Sequence, residues 1–392
     1  MEFNLFRFFI SGVKNQVVPD SDLWQSPLSG KTGENCNSDF TTGDYYLAAC
    51  KFLSDNSFLF LKKGLKFFLN KSVQINQIIR IKIFLEKHGA FYHPLKIEAI
   101  VANNQIFSFV LNGAVDKKGL GLIQNEYELL SLMNKNSVKQ IEQIEQIDSK
   151  QYTPKVFELD FITTNKGKIG FFLGQWFDNY KEFHVSYDND IQQVSIWESN
   201  GNCNYIEISN AFEIYFKITK ILTYYYNLKT FEEILLWHHA AGDFIVNQEN
   251  GKFNVKLITI RKYSSLIQHS TTKNDKTTLI LPSLLFFFLN LSIKMRIDRI
   301  NGTGKLIMID KSVIDSIITG FLSGLDEKSK TYDYGDIKPA FIEFFLQFNL
   351  KQILEIMINI LESHYSDPVE ISLIQKNLKN HCKILYSIFK NI

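Results

Sequence analysis

Residues 237–244, WHHAAGDF, contain the densest group of side chains that could do chemistry. Two adjacent histidines, His238 and His239, precede three small residues and Asp243, and an apolar stretch follows. An imidazole can accept a proton or bind a metal, and small residues let a ligand approach the backbone closely. Adjacent histidines on a strand or loop point in different directions, so both rarely bind one metal. The segment predicts a functional pocket, with a structural loop core or a metal site as the alternatives.

The flanking elements indicate how this segment is positioned. Residues 244–260 contain two β-rich arms around Asn250-Gly251, a dipeptide that favours the type I′ turn of a β-hairpin. Residues 211–226 have the spacing of an amphipathic helix. Further helices are predicted near 282–299, 312–324, 338–347, 350–363 and 370–390. We therefore expect the chain beyond Asp178 to be mainly helical, with one hairpin.

The preceding part of the chain is rich in strand signals. Residues 79–83 alternate isoleucine with basic residues, and two more apolar stretches follow after turn-like sequences, which predicts three strands. Helical spacing over residues 120–134 precedes two further strands, around 154–163 and 168–174.

The order of these elements indicates an α+β protein with three segments. Residues 1–77 are predicted to form an N-terminal loop and helical extension, 78–175 a strand-rich N-lobe, and 176–392 a mainly helical C-lobe. The first thirteen residues lack a basic leader and a convincing cleavage site, so we interpret them as an amphipathic or docking segment.

Composition limits the expected partners and location. Lys and Arg number 43 against 41 Asp and Glu, without a basic cluster, so no nucleic acid partner is expected. The four cysteines are far apart, which suits a reducing, cytoplasmic setting. The longest apolar run, residues 279–293, is shorter than the roughly 20 residues that span a bilayer, so no transmembrane segment is expected. The expected partner is an unidentified small molecule or protein, and the oligomeric state is left open.

Three strands, a helix, two strands, a connecting segment, a long helix, the histidine loop and a hairpin follow one another over about residues 78–300. This order resembles the protein-kinase-like fold, especially its branch of aminoglycoside and choline phosphotransferases. The resemblance implies two lobes, a small mixed β-sheet lobe with one helix and a larger, mainly helical lobe. It also implies that residues 171–184 connect the lobes and that an ATP cleft lies beneath them.

The family's catalytic loop reads HGDxxxxN and is followed by a strand, a turn, a second strand and the triplet DFG. The matching stretch in this chain is residues 236–263. The resemblance places Asp243 at the magnesium-binding asparagine and His238 at the catalytic aspartate. It places Thr259, with Ile260 and Arg261 after it, at the DFG triplet.

In the first lobe, the strand FSFVLNGAV has Asn112 where the family has a lysine that pairs with phosphate. The resemblance makes Glu126 or Glu128 the helix glutamate that pairs with this lysine. The glycine-rich loop is reduced to Gly89 within HGAF.

Phosphoryl transfer requires carboxylates on Mg²⁺ and a cation on the phosphates. Only Asp243 is a plausible carboxylate among the matched metal positions, and neutral Thr259 is a poor substitute for the principal metal-binding aspartate. His238 could accept a proton, but proton transfer contributes only about 10² to 10⁴ in rate. We therefore expect a kinase-like pseudoenzyme, a binding or scaffold protein with an interlobe ligand cleft. A nucleotide with weak or no Mg²⁺ dependence remains open as its cofactor. The cleft positions are Asn112, Glu126, Glu128, Asp243 and Thr259.

The alternative is an atypical phosphotransferase acting on a small molecule or a protein. In that hypothesis His238 or His239 is the base or nucleophile, and Asp243 holds a metal. A third hypothesis is a structural assembly protein that uses residues 1–75 for docking. Two other histidines, His93 and His184, lie at predicted strand or hinge ends, where a site could form, although a lone histidine is more often structural.

Overall fold

The computed structural model describes residues 3–28, 39–86, 92–141, 151–198, 202–237, 239–266, 277–330 and 335–392. The chain is a mixed α+β protein that divides into two compact units, Met1–Asn179 and Tyr180–Ile392. Gly89 and His238 lie outside the described residues.

The first unit is built on one six-stranded sheet. Its strands are β1 (Phe6–Ile10), β2 (Ile78–Leu85), β3 (Leu95–Val101), β4 (Ile106–Ala114), β5 (Val156–Thr164) and β6 (Gly167–Gln175). The strand order is β1-β2-β3-β4-β6-β5, with β1 parallel to β2 and all other neighbours antiparallel. The five predicted strands are confirmed. In β2 the alternation holds at Ile81 and Ile83, which are buried with half-buried Lys82 between them, whereas Ile79 is exposed next to a register shift between Ile78 and Arg80.

Three helices accompany this sheet: α1 (Asp22–Gln25), α2 (Thr42–Leu69) and α3 (Lys117–Ile141). The start of α2 is fixed by a capping box between Thr41 and Asp44. The helix packs closely on the sheet, because a Cβ atom at Gly113 of β4 would lie 1.8 Å from the Tyr45 hydroxyl oxygen. Glycine is therefore required at this crossing of helix and strand.

The N-terminal segment shares the core of the first unit. Residues 6–10 form β1, where the sequence suggested an amphipathic or docking segment. Phe6 and Phe8 are buried and alternate with half-buried Arg7, and the Phe8 ring contacts Tyr46 of α2 at a centroid distance of 4.9 Å. Five residues are too few for their alternation to distinguish a strand from a docking segment. The pairing of β1 with β2 makes this distinction.

The second unit begins with a three-stranded antiparallel sheet in the order β7 (Phe183–Asp188), β8 (Ile191–Trp197) and β9 (Cys203–Glu207). This sheet was not predicted from the sequence, which indicated mainly helix beyond Asp178. Asn189 and Asp190 both have positive φ, 45° and 67°, and form the turn between β7 and β8. Polar residues interrupt the apolar ones at irregular positions in these strands, so their hydrophobic alternation is weak.

Three further strand pairs form the remaining β-structure described in this unit. Their strands are β10 (Glu232–Leu235), β11 (Phe244–Glu249), β12 (Lys252–Leu257), β13 (Lys262–Ser265), β14 (Ile297–Arg299) and β15 (Leu306–Met308). β10 pairs with β13, β11 with β12 and β14 with β15, all antiparallel. The predicted hairpin is confirmed: Asn250 and Gly251 connect β11 to β12 with φ of 50° and 76°.

The helices of the second unit are α4 (Phe212–Tyr225), the single turn α5 (Ala240–Asp243), α6 (Ile280–Lys294), α7 (Ile314–Ser329), α8 (Ile337–Leu346), α9 (Leu350–His364) and α10 (Pro368–Phe389). α4 and five later helices are confirmed, but two bounds were wrong. The helix predicted over 282–299 ends at Lys294, because residues 297–299 form β14, and the helix predicted over 312–324 continues to Ser329. α6 lies at the centre of their packing, where Phe288 contacts the rings of Phe321, Phe341, Phe345 and Phe389.

One described stretch, Thr277–Lys294, is apolar and long enough to cross a membrane, but 61% of it is buried inside the protein. The consecutive helices α8 and α9 meet the same criterion only if counted as one span, and they are bent by 104°. This stretch contains α6. Because α6 is packed in the core of the second unit, its composition is apolar.

A buried polar network, which we call the His381 network, joins α6 to α10. It consists of Ser292, Arg296 and His381, all at most 4% exposed. Arginine can only donate, so His381 Nδ1 accepts from Arg296 Nη1 at 3.1 Å, and His381 Nε2–H donates to Ser292 Oγ at 2.9 Å. The Ser292 hydroxyl donates to the Leu289 carbonyl oxygen, and Arg296 Nη2 donates to the Ile309 carbonyl oxygen, at 2.8 and 2.7 Å. Burial, assisted by the Arg296 charge, lowers the pKa of His381 to about 3.

Candidate functional site

The histidine loop connects β10 to β11 in the second unit. Leu236 has a positive φ of 61° and is exposed, whereas Trp237 is buried. His239 is partly buried and directly precedes α5, and its carbonyl oxygen accepts from Gly242 N at 3.0 Å. The loop therefore closes as one helical turn that ends at Asp243, the first residue before β11.

The β11–β12 hairpin returns the chain to Asp243. Ile258 N donates to the Asp243 carbonyl oxygen at 3.0 Å, so the residues that follow β12 run alongside the end of the loop. This arrangement brings Arg261 to Asp243 and places Thr259 one residue beyond the contact. The sequence resemblance matched Thr259 and Arg261 to two positions of a metal-binding triplet.

Asp243 forms an ion pair with Arg261. The carboxylate oxygen Oδ1 lies 2.7 Å from Arg261 Nη1, and Asp243 is 1% exposed. The same Nη1 donates to the Leu236 carbonyl oxygen at 3.1 Å, so one guanidinium fixes both ends of the loop. The negative charge of Asp243 is thus compensated by a guanidinium.

The side chains around Asp243 do not fit a Mg²⁺ site. The Thr259 hydroxyl oxygen is buried, has no hydrogen-bond partner among the described residues and carries no charge. Arg261 places a positive charge 2.7 Å from the Asp243 carboxylate, where a divalent cation would be repelled. Across the part of the chain that the structure describes, no three His, Cys, Asp or Glu side chains stand close enough together to hold a metal ion. Asp243 is the one predicted metal ligand, and it contacts a guanidinium.

The predicted residues of the first unit lie on β4 and α3. Asn112 of β4 is opposite Phe172 of β6, whose ring is 6.2 Å from that of Tyr127 on α3. The neighbouring Glu126 is 1% exposed, so α3 turns this carboxyl inward. Glu128 is exposed and accepts from Gln124 Nε2 at 3.0 Å on the helix surface. Of the two glutamates that were predicted, Glu126 is therefore the one that α3 directs into the protein.

His184 and Asp298 form a dyad that the sequence did not reveal. His184 Nδ1 lies 3.2 Å from Asp298 Oδ1, and Asp298 is 2% exposed. The carboxylate also accepts from Val185 N at 2.8 Å and from Arg299 N at 2.7 Å, which fixes its orientation. An ionised carboxylate can only accept, so the Asp298 contact orients the His184 ring with Nδ1–H toward Asp298 and Nε2 away from it.

The second ring nitrogen of His184 faces the turn between β14 and β15. Gly302, with φ of 75°, approaches so closely that a Cβ atom would lie 2.7 Å from His184 Nε2. Nε2 has no hydrogen-bond partner among the residues described, and the His184 side chain is 14% exposed. Since α5 packs against both β7 and β14, this dyad adjoins the histidine loop.

Sequence signals for the dyad were present but separate. His184 was noted at the end of a predicted strand or hinge, and Asp298 is adjacent to Arg299 in the sequence. In the structure Arg299 Nη1 donates to the Gly304 carbonyl oxygen, at 3.2 Å. The other noted histidine, His93, is buried in the first unit, where its backbone N–H donates to the Gly113 carbonyl oxygen at 2.8 Å.

Searches with this sequence found no matching protein-family model and no matching curated protein.

Proposed function

We propose that this chain is a kinase-like pseudoenzyme: a protein with the loop and hairpin order of a phosphotransferase that binds a ligand or protein partner without transferring phosphate. The ion pair between Asp243 and Arg261 is the observation that carries this proposal. The resemblance matched the Asp243 carboxylate to a metal ligand. Its ion pair with Arg261 supports a structural role for this carboxylate instead.

The charges around Asp243 oppose binding of a divalent ion. A unit charge 4 Å from another contributes about 4 kcal/mol at an effective dielectric constant of 20, and a divalent ion experiences about twice that repulsion from a guanidinium. Mg²⁺ also requires near-octahedral oxygen ligands, and Thr259 supplies no second carboxylate. Binding at this position would require Arg261 to leave its 2.7 Å contact and expose the carboxylate.

Nucleotide binding and turnover by the purified full chain test this proposal. Thermal unfolding is measured with ATP, ADP and GTP, each with and without Mg²⁺ or Mn²⁺, and phosphate release is measured in parallel. We expect the metal to add no stabilisation beyond that of the nucleotide alone, and no turnover. A ligand at 100 times its Kd raises the free energy of unfolding by about 2.7 kcal/mol, which such scans detect.

Matched variants isolate the role of the ion pair. The double substitution Thr259→Asp with Arg261→Ala supplies a second carboxylate and removes the guanidinium, and it is expected to create a Mg²⁺-dependent shift. Lys262→Ala, which removes an exposed neighbouring charge, is the control. Mg²⁺-dependent turnover by the unmodified protein that is lost in Asp243→Asn would refute the proposal.

A second candidate is the atypical phosphotransferase, and one observation favours it. The dyad of His184 and Asp298 offers an oriented proton acceptor next to the histidine loop. If the protein turns over ATP with any acceptor, His184→Gln should lower kcat by about 10² or more, the usual contribution of a general base. His239→Gln is the comparison, since the sequence placed the base at His238 or His239. Equal activity of His184→Gln and the unmodified protein would exclude His184 as the base.

A further inference from the structure

A second group of polar side chains lies in the second unit, apart from the residues matched to the family. It consists of Tyr226, Glu233, Trp237, Lys294 and Tyr365, which we call the Glu233 cluster. Tyr226 directly follows α4, Glu233 belongs to β10, Lys294 ends α6 and Tyr365 directly follows α9. Trp237 belongs to the histidine loop, and its ring lies near Lys294.

One face of α6 assembles the Glu233 cluster. Phe287, Asn290 and Lys294 are three and four residues apart and therefore lie on the same side of the helix. The Tyr226 ring stacks on Phe287 at a centroid distance of 4.4 Å, and the Tyr365 hydroxyl donates to Asn290 Oδ1 at 3.0 Å. These contacts hold both tyrosines against the helix.

Lys294 brings its charge to the aromatic rings of the cluster. Its Nζ lies 5.4 Å from the Trp237 ring centroid and 5.9 Å from that of Tyr365. Lys294 is partly exposed, whereas Trp237 and Tyr365 are buried. The cluster therefore reaches the surface at the lysine and extends inward from it.

The inner polar groups of the cluster have unused hydrogen-bonding capacity. The Tyr226 hydroxyl is buried and has no partner within the described ranges. Glu233 is 5% exposed, and its carboxyl group makes no hydrogen bond or ion pair with the described residues, although Lys294 is near enough to influence its charge. A buried polar group without a partner costs about 1–3 kcal/mol, so such groups are uncommon unless a ligand or ordered water completes them.

The electrostatics favour a ligand with two opposite charges. Burial raises the pKa of Glu233 to about 8, against the opposing charge of Lys294. Burial lowers the pKa of Lys294, against the opposing charges of Glu233 and Glu370. Each ionised form therefore lacks a close partner of opposite charge among the described residues. A simple anion would leave Glu233 unpaired, and a simple cation would be repelled by Lys294.

We propose that the Glu233 cluster binds a small zwitterion, an α-amino acid, between Glu233 and Lys294. The ligand ammonium pairs with the Glu233 carboxylate, and the ligand carboxylate accepts from Lys294 and from the Tyr226 hydroxyl. The rings of Trp237 and Tyr365 supply the apolar wall that small-molecule sites combine with a few convergent polar groups. This proposal does not rest on the role of Asp243 or on the proposed absence of phosphate transfer.

The first experiment measures thermal unfolding of the full chain with each proteinogenic L-amino acid at millimolar concentration. Methylamine and acetate, which carry only one of the two charges, are the matched half-ligands. We expect at least one amino acid to raise Tm and neither half-ligand to do so. Equal stabilisation by acetate would indicate a simple anion site, and no stabilisation by any amino acid would indicate ordered water only. Either result overturns the proposal.

Calorimetry with the amino acid that gives the largest shift then tests the residues. Glu233→Gln and Lys294→Met should each weaken binding about tenfold or more, equivalent to about 1.4 kcal/mol. Lys376→Met, on the exposed surface of α10, is the control and should bind unchanged. Affinity that is unaltered in both cluster variants would refute the assignment.

Proton release provides a readout that a merely structural role would not produce. An ammonium ligand favours the ionised form of Glu233, so binding at pH 7 should release close to one proton, measured by calorimetry in buffers of different ionisation enthalpy. The charged or titratable groups that face the site are Tyr226 and Tyr263 on the Glu233 side, and His364, Asp367 and Glu370 around Lys294. Release that persists in Glu233→Gln would assign the proton to one of these groups and contradict the proposal.

Discussion

The helix α6 carries two polar groups that differ in whether their hydrogen bonds are complete. On one side, Ser292 belongs to the His381 network, where every ring nitrogen and hydroxyl has a partner at 2.8–3.1 Å. On the other side, Lys294 faces the Glu233 cluster, where the Tyr226 hydroxyl has none among the described residues. Both groups are mostly buried, so burial alone does not distinguish a structural network from a binding site.

The difference shows what each group contributes to the protein. A completed network contributes to stability, because removing one member leaves the others without partners. An incomplete cluster costs stability in the absence of a ligand, and removing a member costs little or is stabilising. Substitutions in the two groups should therefore have opposite effects on the free energy of unfolding.

The largest expected effect is that of His381→Ala. Loss of the imidazole leaves Arg296 Nη1 and the Ser292 hydroxyl oxygen without their partner in a buried setting, so the free energy of unfolding should fall by about 3 kcal/mol. Urea denaturation followed by circular dichroism measures the change. Lys379→Ala, on the exposed side of α10, should change stability by less than about 0.5 kcal/mol. Equal effects of the two substitutions would show that the network does not stabilise the fold.

The pH dependence of Glu233 comes next. Its pKa is raised from 4.5 to about 8, so the folded protein keeps the proton while the unfolded chain loses it above pH 4.5. Stability is therefore lost as pH rises through this window, by about 2 kcal/mol between pH 5 and 7 for this group alone. Glu233→Gln should lack this loss. Urea denaturation of both proteins at several pH values gives the difference in their free energies of unfolding, which should change with pH by the amount stated. A difference that does not vary with pH would contradict the buried, unpaired state of Glu233.

His381 should show a pH dependence of the opposite sign. Its pKa is lowered from 6.5 to about 3, so the unfolded chain takes up the proton first as pH falls below 6.5. Stability is lost toward acid pH, by about 1.5 kcal/mol between pH 6.5 and 5. This loss opposes the effect of Glu233 over the same range, so it is measured as the difference between the unmodified protein and His381→Gln. If the variant loses the same stability in acid, another group is responsible.

The smallest expected effects compare two hydroxyl groups. Ser292→Ala removes a hydroxyl with both of its hydrogen bonds made and should cost about 1 kcal/mol. Tyr226→Phe removes a buried hydroxyl without a partner among the described residues and should leave stability unchanged or slightly increased when no ligand is present. Thermal and urea denaturation of both variants provide the measurement. A substantial loss in Tyr226→Phe would show that this hydroxyl already has a partner, which would remove one support for the Glu233 cluster as a ligand site.

Local patterns in the sequence were sufficient for most of the elements. The type I′ turn at Asn250 and Gly251 and the helices of the second unit follow from turn chemistry and from the spacing of apolar residues, which depend on neighbours in the chain. The sequence analysis missed eight strands, because their short or polar segments gain their hydrogen bonds from partner strands that periodicity does not identify. These strands are β1, β7, β8, β9, β10, β13, β14 and β15.

The contacts of the candidate site are mostly between residues distant in the chain, so the motif that indicated the site did not predict them. The loop with His239 and Asp243 was identified from its residue types, and Arg261 was recognised as a cation close in the hairpin. Their ion pair was not predicted, since it requires the hairpin to return Arg261 to within 2.7 Å of Asp243. The sequence also gave no means to pair His184 with Asp298, which are 114 residues apart.

The sequence by itself determined the α+β composition, the hairpin after Asp243 and most helix positions, because these depend on backbone preferences and periodicities over a few residues. The tertiary structure alone decided which charges meet and which buried polar groups lack a partner. Asp243 is compensated by Arg261, His381 is enclosed by Ser292 and Arg296, and Glu233 is left without a contact to Lys294. Coulomb energies and hydrogen bonds depend on distances between residues far apart in the chain, and only folding sets those distances.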